Sequence, residues 1–206
     1  MEYISTRGEA PKASAAQAVV KGIAADGGLY VPERFGAVDQ ETLIQMADWS
    51  YQELAAAIMG QYLPGFSPEE LATMAGQAYG GQFDDATIAP VRKLQDGEYV
   101  LELFHGPTMA FKDMALQMLP RLMVASMEKT REEKDVLILA ATIGDTVNAA
   151  LEGFCDVPRT AIQVLNPEGR VPPAHLLTLP TQKGRNGVST ADRALFHATP
   201  TGVKGR

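Results

Sequence analysis

The run Val136 to Ala141, VLILAA, is apolar at every position. Such a run suits a strand buried on both faces, the condition of strands in a parallel sheet covered by crossover helices. Its surroundings agree. The spacing predicts a strand over Tyr99 to Phe104 and a helix over Met109 to Glu128. After the aliphatic run it predicts a helix over Asp145 to Gly153 and a strand over Ala161 to Leu165. Strands alternating with helices predict an α/β fold with an incomplete parallel βαβαβ sheet beginning near Thr87. Sites in such sheets form where strand passes into helix. Two segments fall at that kind of junction, His105 to Asp113 and Thr142 to Thr146.

The first part of the chain reads differently. Tyr3 to Thr6 is a short strand candidate, and Ala13 to Ala25 a helix closed by Asp26-Gly27-Gly28. Leu29 to Pro32 is extended. Gln40 to Gly60 carries Leu43, Met46, Ala47, Leu54, Ile58 and Met59 at helical spacing. Ser67-Pro68-Glu69-Glu70 opens a further helix, with an N-cap serine, proline at the first helical position and acids in the first turn. The expected organisation is a mainly helical unit over residues 1–86, a partial α/β domain over 87–171, and a tail over 172–206. The tail holds prolines and glycines at short intervals and five basic residues against the single acid Asp192, and is expected to be irregular.

Composition narrows the function classes. A net charge of −7 and a pI near 5.0 argue against a phosphate-tracking surface, so no nucleic-acid partner is expected. Cys155 is the only cysteine, which rules out an intrachain disulfide and a Cys2His2 zinc cluster and fits a reducing cytoplasm. His105, His175 and His197 are the only histidines and lack close ligand spacing, so no metal site is expected. No window has the apolar length that spans a bilayer.

Lys112 is the residue with chemical promise. A lysine is ordinarily a solvated surface cation. Here Met109, Ala110, Phe111, Met114, Ala115 and Leu116 surround it, which predicts a helix apolar nearly all round and buried on more than one side. In such surroundings the charged form is destabilised and the free amine can attack a carbonyl, as Schiff-base lysines do. In Thr142-Ile143-Gly144-Asp145-Thr146, Gly144 permits a tight turn and Asp145 or Thr146 can cap the next helix, whose N–H groups could hold a carboxylate. A plain helix cap explains the same residues. His105 lies seven positions before Lys112 across a turn.

The segment ELFHGPTMAFKD, followed by VLILAAT and then GDT, resembles the central signature of the threonine synthase family of pyridoxal-phosphate enzymes. YISTRGEAP near the start, DGGLYVPE at Asp26 to Glu33 and IQVLNPEGRV at Ile162 to Val171 match the same family in the same order. The resemblance covers about residues 1–171 and implies the fold type II (tryptophan synthase β-like) architecture. It also implies a lyase converting O-phospho-L-homoserine and water into L-threonine and phosphate. Carried over by motif, Lys112 is the Schiff-base lysine that holds pyridoxal 5'-phosphate and later shuttles protons. Asp145 and Thr146 lie on the cofactor, Thr142 and Gly144 face the substrate, and His105 and Thr108 line the cavity.

The pattern also breaks. Ile143 stands where the family has serine and Val147 where it has glycine, a residue free to take positive φ. Pro120 falls inside the expected Met109 to Glu128 helix, where a kink costs about 3 kcal/mol. Past Val171 the family's second half has no counterpart, so the chain reads as truncated, holding the cofactor poorly and not expected to be active alone. Two other readings follow: a fragment acting only through protein contacts, and a phospholyase for another phosphorylated amino compound.

Overall fold

The computed structural model describes residues 1–141, 146–167 and 184–192. They fall into two compact units, Met1–Gly80 with Arg121–Glu133, and Gly81–Pro120 with the described residues from Lys134 onward.

In the first unit, strands β1 (Tyr3–Ser5) and β2 (Tyr30–Pro32) pair antiparallel, with Tyr3 opposite Pro32. Helix α1 spans Ala15–Lys21 and starts from a Ser14–Gln17 capping box. It ends four residues before the expected Ala25, because Gly22 takes φ 67° and its N–H closes on the Ala18 carbonyl. Asp26-Gly27-Gly28 has another role. The Asp26 carboxylate accepts hydrogen bonds from the Ser5 hydroxyl at 2.7 Å and from the N–H groups of Gly28, Glu9 and Ala10 at 2.9–3.0 Å. Those bonds, the Ser5 hydroxyl foremost, bring its pKa down to about 2. One side chain thus ties the STRGEA loop to the DGG turn.

The expected helical stretch Gln40–Gly60 is two helices, α2 (Gln40–Met46) and α3 (Tyr51–Tyr62). Ser50 breaks it by starting α3 with its own capping box to Glu53. Helix α4 (Pro68–Ala78) begins as its sequence predicts, with Ser67 accepting from the Glu70 N–H and Pro68 in the first turn. Leu71, Met74, Ala75 and Ala78 bury its inner face.

The expected helix Met109–Glu128 is also two helices, α5 (Asp113–Leu116) and α6 (Leu119–Thr130). Pro120 lies in the first turn of α6, where an N–H has no intrahelical partner to lose, so the kink cost does not arise. From Arg121 the residues of α6 belong to the first unit. There Lys129 bridges to Glu70 at 2.7 Å with its ammonium 4.8 Å from the Phe66 ring.

In the second unit, β3 (Val91–Gln95) and β4 (Glu98–Leu101) form an antiparallel hairpin whose residues are all exposed. The strand expected over Tyr99–Phe104 therefore stops at Leu101 and stands outside the parallel sheet. The reason is local: Asp96-Gly97, with Gly97 at φ 82°, folds the chain back on its immediate predecessor.

The parallel sheet has the order β5-β6-β7, from β5 (Val136–Ala141), β6 (Thr160–Pro167) and β7 (Gly187–Asp192). Helix α7 (Thr146–Gly153) crosses between β5 and β6. Its Val147, Ala150 and Leu151, with Phe154 just beyond, form a core with Ile162 and Val164 of β6, joined by Ile138, Ala140, Leu116 and Leu119. The alternate strand positions 138, 140, 162 and 164 thus share the face that α7 covers. Val147 is helical and 4% exposed, so the positive φ that glycine would allow is not used at this position. Strand β7 lies in the stretch read as irregular. Its pairing is set by tertiary bonds through Asn186 that no local pattern announces.

Candidate active site

The segment around Lys112 is assembled from short-range bonds. After β4 the chain passes through Glu102–His105 without regular structure and turns at Gly106-Pro107-Thr108-Met109, where the Met109 N–H donates to the Gly106 carbonyl at 3.0 Å. Proline at the second turn position supplies the φ that turn needs. Met109 itself sits at φ 58°, a conformation that costs a non-glycine residue about 1–2 kcal/mol. What holds it there is Asp113. Its carboxylate is fully buried and accepts from the Thr108 N–H at 2.8 Å and the Thr108 hydroxyl at 2.7 Å. A Cβ on Gly106 would come within 2.5 Å of the Asp113 carboxylate, which explains glycine in that turn.

Lys112 immediately precedes α5, in helical conformation, with its side chain making no capping bond. It is half-buried, and its ammonium lies 4.4 Å from the centre of the Phe111 ring. Among the described residues its ammonium forms no hydrogen bond or ion pair. The expected burial on more than one side is not found: α5 is a single turn, and Phe111 is 60% and Met109 78% exposed. An apolar sequence around a one-turn helix has too little helix to bury itself.

His105 is placed by carboxylates. Nδ1 lies 2.5 Å from Asp84 and Nε2 2.9 Å from Glu102, while Arg92 reaches Glu102 at 3.4 Å and Asp85 at 3.3 Å. The Glu102 bond first, and the Asp84 bond next, push the imidazole pKa above its ordinary 6.5. The charged ring therefore contributes stability that is complete below about pH 6.5 and fades as the pH rises through the folded value. His105→Gln is expected to destabilise the protein at about pH 6, with the gap to the parent chain narrowing in alkali. Urea melts at a series of pH values measure this, and a gap that does not change with pH refutes it.

Of the other residues named from sequence, Thr146 is half-buried and opens α7, while Thr142, Gly144 and Asp145, with Ile143, lie outside the described residues. Thr108 is joined to the lysine segment through Asp113. His105 is turned toward Asp84 and Glu102. Helix α5 packs against α7, where Gly153 fits against the Leu116 backbone. Sequence reasoning missed Asp113 and Gly106 as structural partners. The available signal was a charged residue in the first turn of an apolar helix, five positions after a threonine.

Residues 2–79 match the family model described as the threonine synthase N terminus. A threonine synthase from Pseudomonas aeruginosa is 40% identical over 190 residues, covering 90% of this chain, a share that reaches past Val171, and 39% of that protein. The chain belongs to the threonine synthase family. Within it, human threonine synthase-like 2 is 36% identical, over 82% of this chain and 35% of its own length. A crystal structure of PLP-bound threonine synthase from Brucella melitensis matches with a TM-score of 0.89 at 35% identity, covering 100% of this chain and 44% of that one. The chain thus spans about two fifths of the length of the relatives it matches, and over that span its α/β fold is that of the threonine synthases.

Proposed function

We propose that Lys112 holds pyridoxal 5'-phosphate and that the chain carries the lysine-bearing part of a threonine synthase. The reaction is conversion of O-phospho-L-homoserine and water into L-threonine and phosphate, a carbon–oxygen lyase step in threonine biosynthesis. One observation carries the reading: the family motif FKD presents an amine that no hydrogen bond or ion pair occupies among the described residues, on a turn fixed by its neighbours. The residues fit a planar aldehyde cofactor. Lys112 supplies the amine, and the exposed Phe111, whose ring centre lies 4.4 Å from that amine, supplies apolar surface beside it.

When bound, the cofactor supplies an electron sink for charge developing on the substrate. Lys112 would hold the cofactor through its Nζ, and the same amine would carry protons at the α and β carbons of the substrate. Asp145 and Thr146 are assigned to the cofactor, and Thr142 and Gly144 to the substrate carboxylate. Thr108 and His105 are assigned to the cavity wall. Because both His105 nitrogens are engaged by carboxylates, its part there is charge and shape rather than proton transfer. Cys155, with no second cysteine in this sequence to form a disulfide, suits a cytoplasmic setting.

Incubation with pyridoxal phosphate, borohydride reduction and peptide mass spectrometry test the reading. Label is expected at Lys112 and is expected to vanish from that peptide in Lys112→Ala. Label spread evenly over exposed lysines such as Lys21 overturns it and leaves a protein acting through contacts alone. A second reading has its own support in the resemblance to threonine synthase-like 2 and in Ile143: a phospholyase for another phosphorylated amino compound. Phosphate release from a panel of phosphorylated amino acids separates the two.

A further inference from the structure

We propose that Asp113 is the positioning residue for Lys112, acting through a clasp on Thr108. The inference deepens the proposed function and rests on it. Among the described residues Lys112 has no side-chain hydrogen bond or ion pair, so the direction in which its amine leaves the chain is set by its backbone. That backbone is the segment Met109–Lys112, and the Asp113 carboxylate closes it into a loop. Oδ2 takes the Thr108 N–H at 2.8 Å and Oδ1 the Thr108 hydroxyl at 2.7 Å, so both oxygens bind the residue at the far end of the segment.

Three further features belong to the same device. Asp113 is 0% exposed, and an ionised group so placed persists only when its hydrogen bonds are complete. Gly106 lacks the Cβ that would occupy the carboxylate's place. Met109 is held at φ 58°, a backbone state that needs outside bonds to persist. A loop requiring only a helix start could have used a serine cap, as α1, α3 and α4 do. Here the cap position is given to the lysine and the carboxylate works from the next residue, which leaves the amine without a structural duty.

The Thr108 N–H cannot change from donor to acceptor. Asp113→Asn therefore loses a bond when its amide nitrogen faces the Thr108 N–H, keeps both bonds when that nitrogen donates to the Thr108 hydroxyl, and loses the charge in every orientation. Thr108→Val removes only the hydroxyl bond, whereas Thr108→Ser keeps both. The test measures borohydride-trapped pyridoxal phosphate at Lys112 relative to Lys21, an exposed lysine of the other unit, under conditions where circular dichroism shows each variant folded. The Lys112 to Lys21 ratio is expected to fall about tenfold in Asp113→Asn, less in Thr108→Val, and to stay at the parent value in Thr108→Ser. Amide exchange over Met109–Lys112 is expected to accelerate in the same order. A role limited to folding predicts unchanged ratios in the folded variants.

If the parent chain shows no preference for Lys112, the cofactor reading fails and the clasp proposal fails with it. If the parent labels Lys112 and Asp113→Asn labels it equally well, the clasp alone is overturned. Should Asp113→Asn not fold, the valine and serine pair at Thr108 decides, and equal ratios in both overturn the proposal.

Discussion

Gly153→Val lowers the stability of the second unit by about 2–3 kcal/mol, the range in which overpacking against a fixed neighbour falls. Gly153 is buried at the end of α7, and a Cβ there would collide with the Leu116 carbonyl oxygen and lie 3.0 Å from its carbon. Helix propensity alone argues the other way, since glycine inside a helix costs about 1 kcal/mol relative to alanine. The collision outweighs this because the obstacle is backbone, which cannot swing aside as a side chain can. Either α5 or α7 must shift, and both are committed: α7 through Val147, Ala150 and Leu151 in the core, α5 through Leu116 against that core. Gly153→Ala is expected to be intermediate, with propensity offsetting part of the clash. Urea unfolding gives the energies, and a valine variant as stable as the parent refutes the argument. Because α5 directly follows Lys112, trapping at that lysine is expected to fall along with stability.

The features legible in the sequence are those whose cause fits within a few residues. Ser67-Pro68-Glu69-Glu70 contains every group needed to start α4, and the structure uses each of them. The aliphatic run of β5 marks the strand, and its alternate positions Ile138 and Ala140 join the core with α7 and β6, but the burial on both faces that the run suggests is not found, since Leu137 is 55% exposed. Where a decision rested on distant partners, the local pattern misled. The glycines after Asp26 looked like a helix stop, yet Asp26 bonds to Ser5, Glu9 and Ala10, and α1 ends at Gly22. Around Lys112 the motif was readable but its mechanics were not. The clasp joins residues five apart through a buried side chain, and nothing in an apolar helical pattern distinguishes a carboxylate facing inward from one facing water. His105 is similar, since its partner Asp84 lies 21 positions away.

Asn186 is the other site where one side chain carries a large share of the structure. Its Nδ2 donates to the carbonyls of Phe154 at 2.8 Å and Thr160 at 3.1 Å, and its Oδ1 accepts from the Asp156 N–H at 2.9 Å. Its own carbonyl accepts from the Ile162 N–H at 2.9 Å, at the point where β7 begins pairing with β6. The loop between α7 and β6 holds Asp156 at φ 51° and Arg159 at φ 60°, so its carbonyls and N–H groups cannot turn to one another as a helix would arrange them. Asn186→Ala leaves two partly buried carbonyls and one exposed N–H without that partner. At about 1–3 kcal/mol for an unsatisfied buried group, with water recovering some of the loss, a total of about 3 kcal/mol is expected. Asn186→Asp separates the two halves of the bond set. It keeps the acceptor for Asp156 but sets a carboxylate against the Phe154 and Thr160 carbonyls, so it is expected to be no better than alanine. Amide exchange locates the effect: protection over Gly187–Asp192 is expected to be lost while the β5–β6 ladder keeps its own. Equal loss across all three strands would show instead that β7 and the rest of the sheet unfold as one cooperative unit, and that Asn186 is no separate latch.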